Sequence, residues 1–97
     1  MKKLKVITLD LTNCKYLGEV HEKIRITFDF PEWYGANWMA FLDLLRTDCD
    51  ADKIEVIGEE TLSEELKAQM TAMHKVFEDV AKFRAKFGDD FLYEIIS

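Results

Sequence analysis

Phe30-Pro31-Glu32-Trp33-Tyr34-Gly35-Ala36-Asn37-Trp38 is the stretch from which the rest of the sequence can be ordered. Pro31 has no amide hydrogen and cannot continue a helix, so it stops whatever precedes it. Gly35 lets the backbone bend or approach a partner closely. Asn37 is a good helix cap, so a new helix is expected to begin at once. Three neighbouring aromatics around a glycine turn cannot all point inward. Trp38 reads as core, and one of Trp33 and Tyr34 is expected to face solvent.

Upstream, Leu17, Val20, Ile24 and Phe28 recur at helical spacing, which predicts an amphipathic helix over about 16–28. Before it, Lys5 to Asp10 reads as a strand, with β-branched Val6, Ile7 and Thr8. Downstream, Trp38, Phe41, Leu42 and Leu45 form the apolar stripe of the helix that Asn37 opens. Met39, Asp43 and Arg46 follow one another by four and three residues and share a different face, and Arg46 stands at ion-pair spacing from Asp43.

Ile54, Val56 and Ile57 make a second short strand ending at Gly58. Thr61 to Glu64 fits a capping box that would open a short helix. A long helix follows, with Leu66, Met70, Met73, Phe77, Val80, Arg84 and Phe87 on one stripe and Gly88 as its stop. Phe91 to Ile96 is nearly all apolar, the pattern of a strand buried on both faces. The expected order is β-α-α-β-α-α-β. Helical crossovers imply parallel pairing, hence a single α/β domain over residues 1–97 with a small three-stranded parallel sheet and about four helices.

Composition narrows the function. Ninety-seven residues, 48 % of them apolar, suffice for one core without a disulfide or metal. A net charge of −6 repels phosphate backbones, so nucleic acid is not expected as a direct ligand, and a basic partner is favoured. Charge is also polarised: Asp43 to Glu65 holds nine acids against two bases, and Lys67 to Lys86 five bases against two acids. Cys14 and Cys49 have no metal-ligand spacing and suit a reducing compartment, although a bridge between them stays open. Lys5 and Asp10 interrupt the N-terminal apolar run too early for a signal peptide, and no stretch is long enough to span a bilayer. The expected location is the cytoplasm.

Catalytic and metal-binding patterns are weak. His21 and His74 each sit in a helix without a suitable partner nearby in sequence, and His74 reads as a half-buried packing residue. Asp48, Asp50, Asp52 and Glu59 have the spacing of a calcium loop, but Lys53 occupies the position where the sharp turn wants glycine. They read as a solvated acidic loop. No cofactor, metal site or enzymatic activity is expected.

The run Phe30 to Leu45, F-P-E-W-Y-G-A-N-W-M-A-F-L-D-L-L, resembles the barstar family, intracellular inhibitors of the ribonuclease barnase. The family pattern is an apolar residue, then P-E-aromatic-Y-G-x-N, then a helix of the form L-D-A-L-W-D-x-L. The resemblance runs back through Val20-His21-Glu22-Lys23-Ile24 and returns at Lys75-Val76-Phe77 and Ile95-Ile96-Ser97. It implies a three-stranded parallel sheet with four helices and a protein that plugs the active site of a small basic ribonuclease. The physics is phosphate mimicry: a helix-borne carboxylate accepts the bidentate hydrogen bonds that arginine would give to RNA.

Residue by residue, the resemblance places Trp33, Tyr34, Gly35, Asn37, Met39, Asp43, Arg46 and Asp79 on the partner-binding face of a chain that is monomeric when free. Asp43 matches the family's central aspartate, Trp33 the aromatic of its binding loop, and Asp79 an acidic position on the long helix. Met39 stands where the family has a second aspartate, Leu42 where it has tryptophan, and Arg46 is a third change. Met39 and Leu42 leave a second reading open, a regulatory binding module that kept the scaffold without ribonuclease inhibition.

Overall fold

The structure, a computed structural model, describes residues 4–96. Ser97 of the closing run and Met1-Lys2-Lys3 lie outside the described residues. Strand β1 spans Val6–Asp10 and leads into helix α1, Leu17–Thr27, which buries Val20, His21 and Ile24. Helix α2 is Trp38–Thr47, strand β2 is Lys53–Ile57, helix α3 is Glu64–Ala85 and strand β3 is Leu92–Ile96. Between β2 and α3 lies one 3-10 turn, Glu59–Thr61.

The three strands pair in parallel in the order β1-β2-β3, as two helical crossovers require. Ile7, Ile54 and Tyr93 stand in register, as do Leu9, Val56 and Ile95, and these two rows face the helices. Phe77 of α3 lies 5.8 Å from Phe41 of α2 and 5.3 Å from Tyr93 of β3, measured between ring centres. Phe41 in turn contacts Phe28 and Phe30. Aromatic contacts therefore run without a break from β3 to the loop that precedes α2, which ties that loop to the core.

Three expectations are corrected. The helices number three rather than about four among the described residues, because Thr61 does not open a helix of its own. Its hydroxyl donates to the carbonyl of Gly58 and accepts from the amide of Asn13, so it closes the 3-10 turn. Ser63 caps α3 instead, accepting from the amide of Leu66. The last strand is not buried on both faces. It is an edge strand whose Leu92, Glu94 and Ile96 belong to an open sheet face with Val6, Thr8 and Asp10, and Lys53 bridges Glu55 and Glu94 across that face. Finally, Phe87 continues the phase of the α3 stripe but lies beyond the helix end and is 70 % exposed.

Candidate functional site

The loop between α1 and α2 is fixed from both ends. At the end of α1 the amide of Phe28 donates to Ile24, Asp29 adopts φ 56° and the amide of Phe30 donates to Arg25. Pro31 follows, and its carbonyl accepts from the amide of Tyr34, closing a tight turn. Asn37 caps α2: its side chain accepts from the amide of Ala40 at 2.8 Å and donates to the carbonyl of Gly35 at 3.1 Å. The positive φ before the helix belongs to Ala36, at 51°, and not to Gly35. Gly35 is held close to the first turn, where a Cβ would lie 3.4 Å from that of Ala40.

This turn separates the two aromatics. Tyr34 is buried, and its hydroxyl lies 2.7 Å from Nδ1 of His21. Trp33 is 74 % exposed. His21 also contacts the Trp38 ring, at 4.4 Å between centres, and the Trp38 indole donates to Gln69 of α3. His21 is fully inside, and its Nε2 has no hydrogen-bond partner among the described residues. Burial holds its pKa below the usual histidine range. Burial likewise pushes the Tyr34 phenol up. At neutral pH this is an uncharged prop beneath the loop.

On α2 the outward face carries Met39, 69 % exposed, with Asp43 one turn on and Arg46 after it. The expected Asp43–Arg46 ion pair does not form. The Arg46 guanidinium lies over the Phe83 ring, 4.3 Å from its centre, and the Asp43 carboxylate makes no ion pair among the described residues. Asp79 of α3 is half-buried and lines a groove with Leu42, Arg46, Lys82, Phe83 and Lys86. Of the eight residues singled out in sequence, Trp33, Met39, Asp43 and Arg46 thus present side chains to solvent, Asp79 does so in part, Tyr34 holds the loop from within, and Gly35 and Asn37 are exposed and shape its junction with α2.

Three acids make pairings that were not foreseen. His74 Nε2 lies 2.8 Å from a Glu59 carboxylate, joining α3 to the 3-10 turn. Asp52 accepts from the amide of Lys5 and lies beside Arg84, whose guanidinium donates to the Ala51 carbonyl. Asp50 pairs with Lys5. Of the acids of the apparent calcium spacing, Asp50, Asp52 and Glu59 are thus directed into the protein's own contacts while Asp48 is exposed, and no cluster fit for a metal occurs among the described residues. Cys14 and Cys49 are free thiols, and burial raises the pKa of both. No helix of the described residues is long and apolar enough to cross a membrane.

No individual curated protein matches the chain in sequence. The model of one family, described as barstar (barnase inhibitor), matches residues 4–96, which takes in every strand and helix and the whole loop-and-helix face. With a three-stranded parallel sheet behind that face, the chain belongs to the barstar family.

Proposed function

We propose that the chain inhibits a small basic ribonuclease in the cytoplasm of the cell that makes it, as a monomer until it binds, by covering the nuclease active site. The observation that carries this reading is Asp43: a solvent-facing carboxylate on a capped helix, free of any ion pair among the described residues, on a chain with an exposed Trp33 in the adjoining loop. A cationic cleft built for phosphates can take that carboxylate without first breaking a contact of the inhibitor. The net charge of −6 steers the encounter, and barnase with barstar is itself the standard worked case of such steering.

The test is to purify the tagged chain with its bound partner from its native cell and assay that partner for ribonuclease activity. Asp43→Ala should weaken the complex by at least ~2 kcal/mol if the carboxylate is desolvated against arginine, a range drawn in part from barnase–barstar itself. A loss below ~0.5 kcal/mol removes Asp43 from the role.

Exposed Met39 and half-buried Leu42 favour a second reading, a binding module on the same scaffold that does not inhibit a ribonuclease. A thioether cannot accept the hydrogen bonds of a phosphate-binding arginine. Tight capture of a partner without nuclease activity would select it.

A further inference from the structure

The groove between α2 and α3 has the opposite charge to the chain that carries it. Leu42, Arg46, Asp79, Lys82, Phe83 and Lys86 line a depression of about 270 Å³, with three cations against one carboxylate. Arg46 is held by its stack on Phe83, so its position is largely set before any partner arrives. Phe83 meets Phe87 edge to face at 5.3 Å, and Phe87 is among the most exposed large apolar side chains of the chain, with Trp33 and Met39. Lys82 and Lys86 make no ion pair among the described residues, although Asp79 stands three positions before Lys82. Cations in the last turn of a helix complement its dipole, which accounts for their presence in part. It does not account for an exposed aromatic beside them.

An arginine stacked on one aromatic, with a second aromatic exposed at its edge, has the composition of an interface anchor. The groove adjoins the α2 face one turn beyond Asp43. A basic nuclease cleft placed on Asp43 would be repelled by Lys82 and Lys86 if it reached across them. Negative charge is what complements the three cations of this groove.

We propose that the groove is a second contact region of the same binding face and takes an acidic segment of the protein partner, its carboxylates on Arg46, Lys82 and Lys86 and its apolar neighbours on Phe87. The partner thus presents a cationic pocket to Asp43 and an acidic rim to the end of α3. This rests on the inhibitor reading for the identity of the partner, but not for the chemistry of the groove.

The experiment follows amide shifts of the ¹⁵N-labelled chain during titration with a capped hexaglutamate peptide, and separately with a capped hexalysine peptide. Hexaglutamate should shift the amides around Arg46, Lys82, Phe83, Lys86 and Phe87 at millimolar concentrations, against the repulsion of a net negative chain. The exposed double variant K82E/K86E should weaken that response at least ~10-fold, and K82Q/K86Q should weaken it less. Groove amides that do not move, or shifts that survive the double reversal, overturn the proposal. Hexalysine reads the other face: shifts near Asp43 with none in the groove from hexaglutamate would keep the inhibitor reading and discard this one, and the reverse would do the opposite.

Discussion

The Tyr34 hydroxyl lies 2.7 Å from Nδ1 of His21, inside the protein and directly beneath the loop that exposes Trp33. This bond joins α1 to the loop through two buried side chains. It also leaves the other ring nitrogen of His21 without a partner among the described residues, whichever tautomer is present. Trp38 covers the same ring, so the groups packed on His21 are neutral aromatics. Nothing there compensates a positive charge.

Stability should therefore depend on pH through His21. Its pKa is lowered in the folded state by burial, so the unfolded chain binds the proton more readily. The contribution of neutral His21 is fully present above its unfolded pKa, near 6.5, and is lost as pH falls from there toward the lower folded value. The slope cannot exceed about 1.4 kcal/mol per pH unit for one group. Urea midpoints at intervals between pH 7.5 and about pH 5 should show this decline in the native chain and a flatter profile in His21→Phe. Equal profiles would place the pH dependence elsewhere.

Tyr34→Phe should cost about 1–2 kcal/mol, because it removes the one hydrogen-bond partner His21 has among the described residues and leaves both ring nitrogens unsatisfied. The packing of the ring against Phe30 is retained, so the loss reads the hydrogen bond. Chemical denaturation checks it. If Tyr34 served only as an apolar filler, the variant would be as stable as the native chain.

Most of the fold is legible in the sequence because Pro31 and Asn37 punctuate it. A helix must stop before the first and can start at the second, and the apolar spacing on either side agrees. What could not be read follows from tertiary packing. Leu92, Tyr93, Ile95 and Ile96 look the same whether helices cover one face of the strand or both, and only the packing of the helices on the Tyr93 and Ile95 side leaves Leu92 and Ile96 exposed. Phe87 keeps the phase of α3, yet the helix ends at Ala85. For the candidate site, local pattern puts Asp43 on a helix face apart from the apolar stripe and turns one of Trp33 and Tyr34 outward, whereas their assignment to binding comes from the family resemblance. The groove was not legible, because its walls come from Leu42 and Arg46 of α2 and from Asp79, Lys82 and Phe83 near the far end of α3, which only tertiary packing brings together.

Asn37→Ala should destabilise by about 1 kcal/mol, the usual effect of losing a side-chain cap. A second effect is specific to this site. The same side chain holds the Gly35 carbonyl, so the loop loses its anchor to the helix start. Partner affinity should fall even in conditions where the fold stays saturated, and Asn37→Asp, which restores the acceptor but not the donor to Gly35, should recover stability better than affinity. Parallel denaturation and binding measurements separate the two.

Gly58→Ala tests how the chain leaves β2. Gly58 has φ 88°, and a Cβ there would lie 2.4 Å from the Thr12 amide nitrogen, which is backbone and cannot swing away. The left-handed conformation alone costs an alanine about 1 kcal/mol, and the clash adds to it. Loss of more than ~2 kcal/mol is expected, against a smaller loss for Gly88→Ala, where φ is 76° but nothing lies within 4 Å. Similar losses at the two positions would mean that the approach of Thr12 does not matter.

Arg46 can be assigned its partner by measurement. It stands three residues from Asp43 on one helix face, yet its guanidinium lies on Phe83. A double-mutant cycle between Arg46→Ala and Phe83→Leu should give a coupling of about 0.5–1 kcal/mol, the range of an exposed cation–π contact. The matching cycle between Arg46→Ala and Asp43→Ala should give a coupling close to zero. The two cycles share one variant, so a general loss of packing on truncating Arg46 cancels between them. The comparison also bears on binding: an Asp43 carboxylate that is not coupled to Arg46 in the free chain has no internal contact there to surrender when a cationic pocket arrives. Coupling to Asp43 that exceeds coupling to Phe83 would reverse the assignment and leave Asp43 partly neutralised before any partner is met.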